Sequence, residues 1–292
     1  MSAPVCRACG STRTALRGRK QGTFLRREFD FHDCADCGFL FVEPFSGFAI
    51  YDDAYYRGKG PDPYVDYEAE YRDWRGSDRR HEFADLLRIA SGHIAGREAG
   101  EPGPNLRWLD FGCGAGALLK CLRETGSLAG RNVKDTGHDV GSYADRLRET
   151  DGFQILGVPE LSALPDDSFD VISMIEVIEH LPAPAEQVAL AARLLRPGGL
   201  LLLTTGNLGS PAARSAGLNY RYCAPEIHVS LFEPGCLARL YARVGLEPLS
   251  VRYHGAVRFK VLKTLRHRPL LRRLAALALR LPTVVAAIDR SE

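Results

Sequence analysis

The chain has 292 residues, 45% of them hydrophobic, and a net charge of +2. This length allows one ordinary domain plus an appendage, or two small domains, with enough apolar content for a core. The first fifty residues carry two excess cations and residues 251–292 carry eight, so the middle carries eight excess acids. An acidic middle argues against a broad polyanion-binding face.

The N-terminus has no apolar signal region, and no apolar run is long enough to span a bilayer. The expectation is a cytoplasmic protein whose eight cysteines stay reduced. Four of them form two Cys-x-x-Cys knuckles, Cys6/Cys9 and Cys34/Cys37, with 24 residues between them and a glycine after each pair. That spacing suits four thiolates around one tetrahedral Zn(II), a closed and therefore structural site. Residues 1–45 are read as a zinc ribbon whose metal supplies most of the folding energy, about 10–16 kcal/mol. His32 is read as a surface residue and not as a ligand. Cys113, Cys121, Cys223 and Cys236 lack knuckle spacing and are read as packing.

Residues 46–80 form a connector dense in aromatics: Tyr51, Tyr55, Tyr56, Tyr64, Tyr67, Tyr71 and Trp74. It either packs the ribbon onto the rest of the chain or forms a lid over a pocket. A helix is expected over 78–96, with Phe83, Leu86, Leu87 and Ala90 on one face. Glu101-Pro102-Gly103-Pro104 then breaks the chain.

Strands and helices alternate beyond that point. Strands are expected at 106–110, 134–139, 153–156, 169–174, 199–205, 246–253 and about 256–262. Helices are expected at 116–125, 142–150, 185–196 and 234–244. The alternation implies a mostly parallel sheet covered on both faces. Residues 109–116 read Leu-Asp-Phe-Gly-Cys-Gly-Ala-Gly, between the first strand and its helix. The glycines let backbone approach a ligand, the helix start offers free N–H groups, and Asp110 suits a cationic group. Asp139 ends the second strand, 29 residues after Asp110, where an acid would bind ribose hydroxyls. The insert around Ser127 to Lys134 is expected to form a loop. Leu164 to Met174 is a turn running into a buried strand, and Leu194 to Leu202 is a helix end, a Pro-Gly-Gly turn and another strand. In the tail, Leu270, Leu274, Leu277 and Leu281 recur at helical spacing beside arginines. This reads as a helix docked on its own domain, on a second copy, or on an anionic membrane.

The ordered set over residues 80–255 resembles the class I methyltransferases that use S-adenosylmethionine (SAM). With the ribbon in front, it resembles bacterial members acting on sugars and natural products. The resemblance implies an α/β, Rossmann-like doubly wound sheet of seven strands, the last antiparallel, beside the small ribbon. It divides the chain into ribbon (1–45), connector (46–80), methyltransferase domain (81–262) and basic tail (263–292). It places SAM against Asp110, Gly112, Cys113, Gly114, Gly116, Asp139, Val140, Pro159, Glu160, Leu161 and Ile175. Asn207, after the fifth strand, either faces the acceptor or caps a turn. Related sugar enzymes use a Tyr/His pair in the segment 220–232, which points to His228 and Tyr222 as catalytic. Glu176 is a further catalytic candidate, either holding an acceptor hydroxyl or amine or capping the next helix. His180 is read as a helix-start residue. The implied function is methyl transfer to O, N or C of a small molecule. The alternatives are a zinc-ribbon RNA base methyltransferase, disfavoured by the acidic middle, and a non-catalytic SAM-binding protein.

Overall fold

A computed structural model of the protein describes residues 4–62, 65–96, 103–252 and the strand 286–290. Three antiparallel strands, β1 (Thr14–Gln21), β2 (Glu28–Cys34) and β3 (Leu40–Glu43), build the N-terminal sheet. Their inward residues Phe29, Phe31, Leu40 and Val42 are fully buried. His32 is buried as well, stacked 5.5 Å from the Phe41 ring, which corrects the surface assignment. Alternation puts His32 on the face opposite Phe29 and Phe31, and this end of that face is covered too, since Cys34 and the paired Phe41 of β3 are buried.

The connector folds into α1 (Asp53–Tyr56) and α2 (Tyr67–Arg72), followed by the long α3 (Arg79–Ala95). Asp52 and Asp66 cap the first two, accepting from the backbone N–H of Tyr55 (2.9 Å) and Ala69 (2.8 Å). Glu68 accepts from Arg57 and Arg146 and pairs with Arg72, so the connector is tied to the main domain through Arg146. Phe83, Leu86 and Ala90 of α3 are buried, with Leu87 packed beside them.

The main domain runs β4 (Asn105–Phe111), α4 (Ala117–Thr125), β5 (Ser127–Leu128), β6 (Arg131–His138), α5 (Tyr143–Glu149), β7 (Ile155–Leu156), α6 (Val158–Ala163) and β8 (Phe169–Ile175). It continues through α7 (Pro184–Leu194), β9 (Leu195–Thr204), α8 (Pro211–Ala216), β10 (Ser230–Leu231), α9 (Pro234–Ala242), β11 (Leu246–Ser250) and β12 (Ala286–Arg290). The large sheet has the order β11-β12-β9-β8-β4-β6-β5, with β7 also on β6. Strands β7, β6, β4, β8 and β9 are parallel, and β12 runs antiparallel between β9 and β11. This is the expected doubly wound architecture. The strand expected near 256–262 and the tail helix lie outside the described residues.

One correction is local. The insert expected as a loop is a hairpin, with Ser127 opposite Asn132 and Leu128 opposite Arg131. Its two turn residues, Ala129 and Gly130, both have positive φ (49° and 79°), which matches the twist of a two-residue hairpin. At the foot of β8, the buried Asp170 accepts from the Arg107 backbone, Arg196 and Arg131. Burial raises its carboxyl, but these donors together hold it below its usual range.

One connection matters for the site. β10 is not part of the large sheet; it pairs with β3, Ser230 opposite Phe41 and Leu231 opposite Leu40. The N-terminal sheet is therefore completed by the segment that follows His228.

Candidate active site

The carboxyl ends of β4, β6 and β8 open into a cavity of about 280 Å³. One side is formed by Gly112, Gly114, Asp139, Val140, Val158, Leu161 and Ile175. Gly112 has φ 78°, and a Cβ there would meet Val177 at 2.5 Å, so only glycine keeps the wall open. Of the expected cofactor residues, six therefore line the cavity: Gly112, Gly114, Asp139, Val140, Leu161 and Ile175. Pro159 and Glu160 do not, because the first opens α6 and the second caps it through the Gly157 N–H. Cys113 and Gly116 pack behind the turn, against Leu119 and Leu147 respectively.

Asp110 also stands behind the wall. Its Oδ1 accepts from the Ser173 hydroxyl at 2.8 Å, and Ser173 in turn accepts from the Trp108 indole at 3.0 Å. Burial, reinforced by the Asp139 charge, pushes its carboxyl up to about 7 against the opposing effect of Ser173. Asp139 is on the wall, but its carboxylate is already engaged. Oδ1 accepts from the Tyr56 hydroxyl (2.9 Å) and the Gly141 N–H (2.7 Å), and Oδ2 from the Gly114 N–H (2.8 Å). Gly141 allows this closure, since a Cβ there would lie 1.9 Å from the Tyr56 hydroxyl.

The connector roofs the cavity with Phe48, Tyr51, Tyr55, Tyr56 and Tyr67. The rings pack edge to face or stacked at centroid distances of 4.9–6.0 Å, for example Tyr51 on Tyr55 and Tyr56 on Tyr67. Arg79 lines the same cavity and is held by Glu70 (3.0 Å) and Glu82 (2.6 Å). Sequence reasoning missed Arg79, Tyr56 as a partner of Asp139, and His138. The aromatic density of the connector was a usable signal for Tyr56; a single arginine at a helix start carries none.

The far wall holds Glu176 and His180. Glu176 has φ 54°, an uncommon left-handed conformation for a residue with a side chain, fixed by bonds from its N–H to the Thr204 carbonyl and hydroxyl. Tyr222 donates its hydroxyl to Glu176, and His228 stacks on Tyr222 with ring centroids 5.0 Å apart. The structure thus brings Glu176, Tyr222 and His228 together, but Glu176 alone of the three is on the cavity wall. His228 backs His180, their rings 4.8 Å apart, and His180 takes the exposed place. Burial keeps both imidazoles uncharged, lowering His228 to about 4 and His180 well below its ordinary value, and raises the Glu176 carboxyl. Asn207 adopts the capping role: its Oδ1 accepts from the Gly209 N–H at 2.8 Å, outside this cavity.

The four knuckle cysteines converge away from the cavity. The Cys6 and Cys37 sulfurs, and those of Cys9 and Cys34, lie 3.6 Å apart, and all four are within 4.8 Å of one another. Tetrahedral Zn(II) with bonds of about 2.3 Å would set its sulfurs about 3.8 Å apart, so two pairs already match and side-chain shifts of at most about an ångström close the set. Burial pushes the Cys6 and Cys37 thiols up, Cys37 to about 12, a penalty that a divalent cation offsets.

The sheet order, the glycine wall and the acid at the end of β6 define a class of protein, the class I SAM-dependent methyltransferases. Over residues 75–251 the chain matches the family described as "Methyltransferase domain", and it belongs to that family of methyl-transferring enzymes. The match begins after most of the connector and leaves the ribbon outside it. The chain is similar to the ubiquinone biosynthesis O-methyltransferase of Thiobacillus denitrificans, 26% identical over 188 residues, 62% of this chain and 80% of that protein. It is likewise similar to that of Ralstonia nicotianae, 28% identical over 199 residues, 63% of this chain and 80% of that protein. Among solved structures, a putative methyltransferase from Bacillus halodurans overlays with a TM-score of 0.48 at 16% identity, covering 73% of this chain and 100% of the other. Among the described residues, no helix is long and apolar enough to cross a membrane.

Proposed function

We propose that the protein methylates a hydroxyl of a small, largely apolar molecule, with SAM as donor and a structural Zn(II) held by Cys6, Cys9, Cys34 and Cys37. The observation that carries this reading is the single cavity that joins the glycine wall and Asp139 to Glu176 and His180 beneath a tyrosine roof. SAM supplies a methyl group on a sulfonium, already attached to a good leaving group. The protein must therefore align donor and acceptor, exclude water and accept a proton.

Asp139 and the Gly112–Gly114 turn hold the ribose end, and Val140, Val158, Leu161 and Ile175 flank the base. Arg79 offers the cation for a carboxylate. The tyrosine roof excludes water and presents flat apolar faces, which suits an aromatic or apolar acceptor and not a wide polyanion. The neutral imidazole of His180, on the wall beside Glu176, is placed to take the acceptor proton. His228 and Tyr222 act as positioning residues, the one against His180 and the other against Glu176. The relatives named as O-methyltransferases favour oxygen over nitrogen or carbon.

Calorimetric titration with SAM tests the cofactor half. Binding in the micromolar range is expected, weakened at least tenfold by Asp139→Ala. A folded, zinc-replete sample that binds no SAM refutes the reading. Methyl transfer to a panel of phenols, scored by mass, tests the acceptor half.

A further inference from the structure

Behind Glu176 lies a second convergence of ligand atoms, which joins His180 and His228 of the acceptor wall to Glu179, a residue with no role so far. Glu179, His180 and His228 each offer one ligand atom, and the three atoms lie within 4.8 Å of one another. Glu179 is 1% exposed. Its Oε2 accepts from the Thr205 hydroxyl at 2.8 Å, while its Oε1 is buried with no partner. A bare carboxylate oxygen in such a place is costly unless a cation meets it.

The imidazoles are oriented to match. His228 Nδ1 lies 2.9 Å from the Tyr222 carbonyl, which only accepts, so Nδ1 carries the proton and Nε2 is a bare lone pair. His180 Nδ1 lies 3.0 Å from the Tyr51 hydroxyl, whose own proton has the Ile227 carbonyl as acceptor at 3.4 Å. With the Tyr51 proton on that carbonyl, Nδ1 is the donor there too, and Nε2 is left as the ligand atom. Histidine ligands to a metal have this arrangement, with the second nitrogen fixed by a carbonyl or hydroxyl.

We propose that Glu179, His180 and His228 form a divalent transition-metal site at the acceptor end of the cavity, separate from the cysteine cluster. Two imidazoles and one carboxylate favour a first-row transition ion over Mg(II) or Ca(II), which prefer oxygen-only sets. Bonds of about 2.1 Å set tetrahedral ligand atoms about 3.4 Å apart, so side-chain shifts of about an ångström close the set. His180 lines the cavity, so the fourth position opens toward it. Three protein ligands and one open position are the hallmark of a catalytic rather than structural ion. Its role rests on the methyl-transfer reading: a bound ion would occupy the His180 lone pair, and in place of that base it would orient the acceptor hydroxyl as a Lewis acid and ease loss of its proton. Its existence does not rest on that reading.

The test uses the full chain with its cysteine cluster loaded with one equivalent of zinc, then titrated with Co(II) and followed by visible absorption. One further equivalent is expected, with visible ligand-field bands and no added thiolate charge-transfer absorption. His228→Ala and Glu179→Gln should each weaken it at least tenfold while retaining the ribbon zinc and the circular dichroism of the parent. A chain that takes no second equivalent, or takes it equally well in both variants, overturns the proposal. SAM titration of the same samples separates the two readings: Co(II) binding without SAM binding leaves the metal site and removes the methyltransferase assignment, and the converse does the reverse.

Discussion

Asp110 and Asp139 were read from the same motif logic, yet their surroundings give them different work. Asp110 sits behind the wall with a carboxyl pushed up to about 7 by burial, so near neutrality it is partly protonated. A folded-state value raised above the ordinary one contributes stability at acid pH that is lost as pH rises through about 7. A cationic ligand in the cavity favours the ionised form. SAM binding at pH 6 should therefore release a proton from Asp110 and tighten as pH rises toward 7.5. Calorimetry in two buffers of different ionisation enthalpy measures the release, and Asp110→Asn should abolish it.

For Asp139 the question is competition. The Tyr56 hydroxyl fills one of its acceptor positions, leaving a ribose diol one oxygen lone pair too few. Tyr56→Phe is expected to bind SAM at least as tightly as the parent and to lose about 2 kcal/mol of stability with the charge-assisted bond. A tenfold loss of affinity would instead make the Tyr56 hydroxyl a ligand to the cofactor.

At the scale of elements, hydrophobic periodicity located most strands and helices of the main domain, because each buries one regular face. It failed where a turn or a distant partner decides. The Ala129-Gly130 turn makes β5 possible, and only one of its two residues is a glycine, so the hairpin left little trace in the chain. The tip of the β1–β2 hairpin shows a longer-range dependence. Glu226, 2% exposed, accepts the backbone N–H groups of Thr23, Phe24 and Leu25 from two hundred residues away. Glu226→Ala should cost about 2 kcal/mol, since a carboxylate serving several N–H groups is worth more than a neutral acceptor. The denaturant midpoint reads that loss, and faster proteolysis between Gly22 and Arg27 would locate it.

Across the whole molecule, the N-terminal strands beside the four cysteines and the segment after His228 are one sheet. β3 pairs with β10, Val42 donates to the Val229 carbonyl, and Val229 donates to that of Glu179. Arg239 and Arg243 of α9 reach the carbonyls of Cys37 and Ala8 beside the knuckles. Removing zinc should thus loosen more than the ribbon. Chelation, or Cys6→Ser with Cys9→Ser, is expected to expose residues 220–232 to protease and hydrogen exchange while SAM binding persists. Retained protection of 220–232 in metal-free protein would show that the sheet stands without the ion.

The sequence by itself determined the doubly wound sheet, the glycine turn, the two acids and the four clustered cysteines. These depend on local spacing: strand and helix period, backbone freedom at glycine, and ligand pairs set within one tight turn. Which of those residues meet the cavity was decided only in three dimensions. His180 took the wall place foreseen for His228, Asn207 turned to cap its own loop, and Tyr56 closed on Asp139. Each outcome depends on contacts between segments far apart in the chain, and no local pattern encodes which of two nearby side chains the packing leaves facing the cavity.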